Sequence, residues 1–201
     1  MLLFLVRHGV TQHNTDRIFM GHDPVPLSPK GREQIRRLAE RLGTSPPTRI
    51  VSSDIRRAQQ SAEIIAQRLR LPIETSAELR EVDVGEAKGF SYAEAAERWP
   101  HVFVPDGQGR FPRGESFADV YQRASGIMEE LLNVHAGQSI LVVGHHVVHR
   151  TYLAGLLGLS LDQARQVTLD NCGISVVVHD GDKALVSTLN AAFHLQGVAA
   201  A

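Results

Sequence analysis

Short apolar runs alternate with segments of helical periodicity along most of this 201-residue chain. Runs such as Leu3–Val6 and Ile140–Val143 end at polar residues or glycine and are typical of buried strands. Between such runs, apolar residues recur at helical spacing, for example Ile35, Leu38 and Leu42. This alternation predicts an α/β fold with a largely parallel sheet. No linker-like segment divides the chain, so we expect a single domain.

Capping signals locate the starts of several helices. Ser28 followed by Pro29 predicts an N-cap and a first helical residue, and Ser91 with Glu94 predicts a capping box. Asp54 is expected to cap the helix that follows the second strand.

The longest helix is predicted to begin at Ser116. Its apolar residues follow helical spacing, so we interpret them as core and not as a binding stripe. They are Phe117, Val120, Tyr121, Ala124, Ile127, Met128, Leu131 and Leu132. A further helix is expected over residues 147–157, and residues 179–182 carry an Asp-Gly hairpin signal.

Composition and charge disfavour several classes of function. The net charge is −1 and no stretch is densely basic, so nucleic-acid binding is disfavoured. Apolar runs are far too short to span a membrane, and the chain opens on a strand without a signal-peptide pattern. The single cysteine, Cys172, excludes an internal disulfide, favours a cytoplasmic location and is expected to be a buried hydrophobic residue.

Side chains suited to phosphate chemistry follow the predicted strands. They are Arg7, His8, Arg57, Glu81, His145 and His146. If the strands are neighbours, these residues converge on one edge of the sheet, where α/β proteins bind ligands. Two guanidinium groups can hold a phosphoryl dianion, and a neutral imidazole can attack phosphorus. A carboxylic acid can then protonate the leaving alcohol, so the set is complete without a cofactor.

Simpler interpretations exist for several residues. The Arg-His pair after the first strand could consist of ordinary strand-end residues that face solvent. His145 and His149 have a metal-like spacing, but the zinc pattern requires a Glu where His146 stands, so no metal site is expected. His149 is expected to be partly buried, with Arg150 beside it reaching solvent.

Three further assignments concern regions around these motifs. Glu115 is expected to stabilise a helix start as a capping residue, with a reserve role as the acid if Glu81 points away. Arg80 is expected to be a solvated surface residue. The aperiodic loop 100–114, rich in Pro and Gly, is interpreted as a lid over the site.

Four motifs together resemble the histidine phosphatase superfamily, the phosphoglycerate-mutase-like group. They are Leu5-Val6-Arg7-His8-Gly9-Val10-Thr11 with Asn14, Ser52-Ser53-Asp54-Ile55-Arg56-Arg57-Ala58 with Ser61-Ala62, Leu79-Arg80-Glu81 with Gly85 and Gly89, and Val142-Val143-Gly144-His145. The resemblance runs from Leu3 to about Leu195. It implies a three-layer α/β/α sandwich on a mostly parallel central sheet.

The resemblance also implies roles for individual residues. His8 would be the phosphorylated nucleophile and Glu81 the proton donor, without a metal or other cofactor. Four side chains would hold the phosphate: Arg7, Asn14, Arg57 and His145.

The chain departs from the family pattern near the expected pocket. His146 and Arg113 each stand where glycine is common; the first would crowd the pocket mouth and the second adds an anion contact. Ile18 and Met20, in the loop before Gly21, replace common polar residues and favour a bulkier or less charged substrate. Residues expected to contact substrate are Asn14, Gly21, Arg113, His146 and His194.

We interpret the chain as a phosphomonoesterase acting on a small phosphorylated metabolite, with some likeness to metal-independent phosphoserine phosphatases. Phosphoglycerate mutases similar to the glycolytic enzyme usually carry an insertion after the region of Glu81, which is short here, so hydrolysis is favoured over mutase activity. An inactive phosphate-binding regulatory module is the alternative from another class. A homodimer, through an edge strand or exposed apolar residues, is left open.

Overall fold

A computed structural model describes residues 1–180 and 183–197. The strands are β1 (Leu2–Arg7), β2 (Arg49–Ser53), β3 (Ile73–Ser76), β4 (Ser139–Gly144), β5 (Ile174–Asp180) and β6 (Lys183–Ala191). They form one sheet in the order β3-β2-β4-β1-β5-β6. The first four strands of that order pair in parallel, and β5 and β6 are antiparallel additions. The predicted α/β fold with a mostly parallel sheet is confirmed.

The helices lie between the strands in sequence. They are α1 (Gln12–Thr15), α2 (Pro29–Leu42), α3 (Arg56–Leu69), α4 (Tyr92–Arg98), α5 (Phe117–Val134), α6 (His146–Leu156) and α7 (Leu161–Ala164). The N-caps of α2, α4 and α5 are Ser28, Ser91 and Ser116, as predicted. The predicted cap at Asp54 is wrong. Ile55 occupies the N-cap of α3 without a side-chain bond.

Asp54 is instead paired with Arg80, whose Nε donates to the Asp54 carboxylate at 2.8 Å. Arg80 is therefore half-exposed but engaged, and not simply solvated as expected. The pair lies beside the segment that carries Glu81. A contact across 26 residues of sequence has replaced a local capping bond.

The sheet separates two apolar clusters, which makes the three layers of the sandwich. On one face, Val6 and Val143 pack with the inward side of α2 and α3. On the other, Leu5 and Val142 pack with α5 and α6. Alternate residues of one strand serve opposite faces, as strand geometry requires.

The loop 100–114 is partly structured. A 3-10 turn spans Pro100–Phe103, and Phe111 is fully buried among core residues. That the loop 100–114 acts as a lid stays a prediction. The hairpin signal at residues 179–182 lies partly outside the described residues. No helix in the described part of the chain is both long and apolar enough to cross a membrane.

Candidate active site

The polar residues expected at the strand ends meet at one edge of the sheet. Arg7 lies opposite Gly144 in the pairing of β1 with β4, and Ser52 lies opposite Val143 in the pairing of β2 with β4. The residues that follow these strands therefore converge at the carboxyl ends. A cavity of about 350 Å³ lies at this edge. Its walls include Arg7, His8, Asn14, Gly21, Arg57, Glu81 and His146.

His8 is buried, and its hydrogen bonds define which ring nitrogen carries the proton. Nδ1 lies 2.8 Å from the carbonyl oxygen of Gly9, which can only accept, so the proton is on Nδ1. Arg57 donates its Nε–H to Nε2 of His8 at 3.2 Å, which requires a lone pair there. Burial, and then the charges of Arg57 and Arg7, hold the pKa of His8 well below its usual value. Nε2 is therefore the available nucleophile of a neutral ring.

The backbone around His8 is held from three directions. The His8 N–H donates to the oxygen of Gly144 at 3.0 Å. The carbonyl oxygen of His8 accepts from Nδ2 of Asn171 at 2.8 Å, and the Gly9 N–H donates to Oγ of Ser61 at 3.1 Å. A Cβ on Gly9 would lie 2.6 Å from a carbonyl oxygen of α2, so only glycine fits this turn. These contacts fix the imidazole in place.

Arg57 is fully buried beside the nucleophile. Its two terminal nitrogens donate to the carbonyl oxygens of Gly21 at 2.9 Å and Asp23 at 3.1 Å. Each terminal nitrogen keeps a second N–H for a ligand. Burial lowers the pKa of Arg57 to about 10, so the group is still charged at neutral pH. Gly21 thus contributes a backbone oxygen that orients the guanidinium.

Arg7 and Asn14 leave further donors at the same place. Arg7 donates a terminal N–H to the oxygen of Leu169 at 2.7 Å, and its buried Nε has no partner among the described residues. Oδ1 of Asn14 accepts the backbone N–H of Thr11 at 3.0 Å and its hydroxyl at 3.1 Å. The amide nitrogen of Asn14 is then the end left for a ligand. Unpartnered donors beside charged arginines suit an oxyanion.

His145 lies against His8, with ring centroids 5.1 Å apart. Oγ of Ser53 accepts the N–H of Ile55 at 3.2 Å and lies 2.9 Å from Nε2 of His145. The Ser53 hydroxyl can thus donate to Nε2, which leaves the ring proton on Nδ1. That Nδ1 is buried and has no partner in the described chain. Burial lowers the pKa of His145 well below its usual value, so the ring is a neutral donor.

Glu81 lies at the N-terminus of α6. Its Oε1 accepts the backbone N–H of Val82 at 3.0 Å and that of Val147 at 3.2 Å. The carboxyl group lines the cavity together with His8. His22, a neighbour of the site, has Nε2 2.7 Å from the Glu81 carbonyl oxygen. The carboxyl group and the nucleophile therefore share one cavity.

Arg123 holds the segment that carries Glu81, and the sequence analysis missed it. It donates to the carbonyl oxygens of Glu78 at 2.7 Å, Arg80 at 2.6 Å and Glu81 at 3.1 Å. Its other N–H groups bind the carboxylate of Glu115 at 2.8 and 2.9 Å. Glu115 therefore does not cap α5, and that expectation is wrong. Its reserve role as the acid was expected only if Glu81 pointed away, and Glu81 lines the cavity. The carboxylate of Glu115 instead binds Arg123 and accepts the backbone N–H of Asp83 at 2.8 Å.

The residues that line the cavity form two groups with different chemistry. We call one the phosphate end, formed by Arg7, His8, Asn14, Arg57 and Glu81. We call the other the aromatic end, formed by Phe103, Phe117, Arg150 and Arg165. Apolar walls complete the cavity through Phe19, Met20, Val82, Val84, Tyr92 and Val147. Met20 thus brings the expected apolar character of its loop to the site, and Phe117 is a wall residue rather than core alone.

Three predicted contact residues are placed differently from one another. His146 lines this cavity and an adjoining one. Arg113 lines a neighbouring depression with Lys88, outside the cavity that holds His8. His194 lies in another cavity, where its Nε2 is 3.0 Å from the carbonyl oxygen of Cys172. The structure does not bring Arg113 or His194 to the phosphate end.

Burial corrects two expectations about α6. His149 is fully rather than partly buried, and burial followed by the charge of Arg7 lowers its pKa to about 3. Arg150 is partly buried instead of solvated and lines the cavity, with its Cζ 5.8 Å from the ring centroid of Phe117. Cys172 is buried as expected, and burial raises the pKa of its thiol. Within residues 1–180 and 183–197, no group of three or more His, Cys, Asp or Glu could hold a metal ion.

The chain was compared with known proteins. Residues 3–192 match the histidine phosphatase superfamily (branch 1). A probable phosphoglycerate mutase GpmB of Salmonella arizonae is 34% identical over 189 residues, covering 92% of this chain and 88% of that protein. Among solved structures, Bacillus stearothermophilus YhfR gives a TM-score of 0.90 at 30% identity over 96% of this chain and 98% of its own. A mycobacterial glucosyl-3-phosphoglycerate phosphatase gives 0.85 at 27%, over 94% and 98%.

The fold and the site are those of an α/β protein with a buried neutral histidine between arginines. The chain belongs to the histidine phosphatase superfamily, as its motifs indicate. Relatives carry both phosphatase and mutase names, so membership alone leaves the reaction open between these two.

Proposed function

We propose that this protein is a metal-independent phosphomonoesterase that works through a phosphohistidine on His8. The observation that carries the proposal is the unprotonated Nε2 of His8 at the phosphate end, beside two arginines and in one cavity with Glu81. The transition state of phosphoryl transfer needs positioning and electrostatic complementarity more than it needs a metal, and these residues supply both.

The first step forms a bond from Nε2 of His8 to phosphorus and breaks the bond from phosphorus to the ester oxygen. Glu81, protonated, gives its proton to the departing alkoxide. In the resting site the Nε–H of Arg57 donates a hydrogen bond to Nε2 of His8. When Nε2 attacks, this N–H donates to a phosphoryl oxygen instead, and arginine keeps its proton. Arg7, Asn14 and the Nδ1–H of His145 bind the remaining oxygens.

The second step hydrolyses the phosphohistidine. Glu81, now a carboxylate, takes a proton from water as the water oxygen attacks phosphorus. The N–P bond breaks, the electron pair returns to Nε2 of His8, and inorganic phosphate leaves. Protonated Glu81 is then ready for another cycle.

Substrate choice is proposed from the walls of the cavity. Besides the phosphate end, the walls of the cavity of about 350 Å³ include Phe19, Met20, Val84 and Tyr92. Apolar walls of this extent favour a phosphomonoester with an apolar or aromatic body over a small, fully polar one. One phosphatase among the structural relatives is named for glucosyl-3-phosphoglycerate.

A phosphoglycerate-type mutase is the second candidate. It is favoured by the name of the curated relative, which this chain covers over 88% of its length. The shortness of the chain after Glu81 therefore does not separate it from that relative. A mutase would return the phosphoryl group from His8 to a second hydroxyl of the substrate instead of to water.

The test is phosphate release in EDTA from phosphoserine, phosphoglycerates, sugar phosphates, aryl phosphates and p-nitrophenyl phosphate. We expect turnover, with an acid-labile phosphoprotein that His8→Ala cannot form. His101→Ala, at an exposed histidine, is the matched control. Phosphate trapped on another residue, or activity lost in EDTA, contradicts the mechanism. Transfer between hydroxyls without release supports the mutase, and binding without turnover supports an inactive module.

A further inference from the structure

Arg150 is a cavity arginine that the proposed reaction does not use. It lies one turn after His146 on α6, and its Nε is enclosed without a hydrogen-bond partner among the described residues. No ion pair in that part of the chain includes it. Its Cζ lies 5.8 Å from the ring centroid of Phe117, so one face of the guanidinium is covered by an aromatic ring. Burial lowers the pKa of Arg150, and the carboxylate of Glu81 opposes this only through its field. A partly buried cation with no ion pair is costly and marks a candidate ligand site.

The side chains that line the cavity carry an excess of positive charge. Four arginines and one carboxylate line it: Arg7, Arg57, Arg150, Arg165 and Glu81. A phosphoryl dianion would balance Arg7 and Arg57 at the phosphate end. Glu81 is neutral when it acts as the acid, so it leaves the charge of Arg150 uncompensated. A second anion on the substrate would restore the balance.

The neighbours of Arg150 at the aromatic end hold its guanidinium at the cavity. Phe103 and Phe117 pack with ring centroids 6.4 Å apart, and Arg150 lies over Phe117. Arg165 donates to the carbonyl oxygen of Val104 at 2.7 Å, which ties it to the same loop. Asp162 lies 3.9 Å from Arg165, so that arginine already has a weak partner, whereas Arg150 has no ion pair within residues 1–180 and 183–197.

We propose that Arg150 binds a second anionic group, a carboxylate, at the far end of the substrate from the phosphate. The inference rests on the proposed phosphatase function and narrows it. The substrate class is a phosphomonoester whose apolar or aromatic body lies along the cavity walls and ends in a carboxylate. The planar guanidinium over Phe117 can offer two parallel N–H groups to the two carboxylate oxygens.

The test compares 4-(carboxymethyl)phenyl phosphate with its carboxamide, which has the same size and no distal charge. The methylene group insulates the leaving phenol, so the chemistry is matched. We expect the wild type to prefer the acid about tenfold or more in kcat/KM, as charge-assisted hydrogen bonds allow. The ratio should fall to about one in Arg150→Met and stay high in Arg150→Lys. Arg68→Met, at an exposed arginine of α3, should leave the ratio unchanged.

A wild-type ratio near one, or a preference that survives in Arg150→Met, overturns the proposal. If Arg150→Met does not fold, Arg150→Gln keeps a polar side chain at the half-buried site and carries the same expectation. The dissociation constants of the two esters for His8→Ala, measured by calorimetry, give the same ratio without turnover. Failure to hydrolyse with the binding preference intact contradicts the proposed function and not this inference. Hydrolysis without any preference contradicts this inference alone.

Discussion

The phosphate end and the aromatic end of the cavity are built in different ways. At the phosphate end, backbone oxygens and buried hydroxyls hold each group: Gly9 and Arg57 fix the ring of His8, and Ser53 fixes that of His145. At the aromatic end, side chains from a loop and from two helices pack on one another, and Arg150 has no hydrogen-bond partner in the described chain. The hydrogen bonds at the phosphate end fix the positions of the reacting groups, and the packed side chains at the aromatic end can accept different substrates.

This difference predicts how substitutions will behave. A change at the phosphate end alters the placement of reacting groups, and small misplacements are costly in kcat. A change at the aromatic end alters contacts that ground state and transition state share, so it moves KM and substrate preference.

The largest effect is expected for Glu81→Gln. Removal of a general acid costs about 10²–10⁴-fold in rate when the leaving alcohol needs a proton. The loss in kcat/KM, which reports phosphorylation of His8 and not the later attack of water, should therefore be much smaller for p-nitrophenyl phosphate than for an alkyl phosphate, because its leaving group needs little help. Glu97→Gln, at an exposed carboxylate of α4, is the control. Equal losses on both substrates would exclude Glu81 as the acid.

Arg123→Met comes next. Arg123 binds the carbonyl oxygens of Glu78, Arg80 and Glu81. Without it, the carboxyl group of Glu81 should be less precisely positioned, and kcat should fall by about 10²-fold. The same dependence on leaving group as in Glu81→Gln should appear, which a loss of fold stability alone would not produce. Arg68→Met serves as the control, and a uniform fall across leaving groups would argue against positioning.

Much of the phosphate end was predictable from sequence. Parallel strands end at one edge, so Arg7, His8 and His145 had to converge once the strands were identified. Arg57, and not Arg56, faces the site because a helix presents only one of two adjacent residues inward. The spacing of these residues within each strand and helix is visible in the sequence, whereas the pairing of β1 with β4 was a condition that the structure supplies.

The remaining residues depend on contacts between distant segments. Arg123 is three residues after Val120 on α5, so its place beside the core face was a signal, but the carbonyl oxygens that it holds around Glu81 lie more than forty residues away. Arg150 was expected in solvent because periodicity does not reveal that Phe117 of α5 lies under its guanidinium. Asp54 was expected to cap a helix because no local sequence pattern indicates that it pairs with Arg80, 26 residues further along the chain. Tertiary packing decided each of these cases.

The buried histidines of α6 should make the folded protein less stable in acid. Burial lowers the pKa of His146 to about 2 and of His149 to about 3, so both stay neutral in the folded protein when the unfolded chain protonates near its usual value. The unfolded state then binds more protons, and stability falls as pH drops from about 6.5 toward 3. Each such histidine contributes about 1.4 kcal/mol per pH unit within that window.

Urea unfolding between pH 7.5 and 4.5 measures this slope. In His149→Gln the fall in unfolding free energy per pH unit should be smaller than in the wild type by about one proton, or ~1.4 kcal/mol. His101→Gln, at an exposed ring, is the matched control. An unchanged slope in His149→Gln would mean that this histidine charges in the folded protein as it does in the unfolded chain.

The smallest effect is expected at the aromatic end, for Phe103→Leu. Phe103 contacts Phe111 and Phe117 and lines the cavity, so a bound aryl group loses an aromatic neighbour but no hydrogen bond. Aromatic pairs are worth about 0.5–1.5 kcal/mol, which predicts a rise in KM for aryl phosphates of about 2- to 10-fold. The kcat should hold, because no group at the phosphate end moves, and KM for a short alkyl phosphate should hold as well. Phe90→Leu, which changes a ring packed on Trp99 outside the cavity, is the control. A fall in kcat with KM unchanged would show that the two ends are coupled, because the loop would then be placing Glu81 or His8 rather than only the body of the substrate.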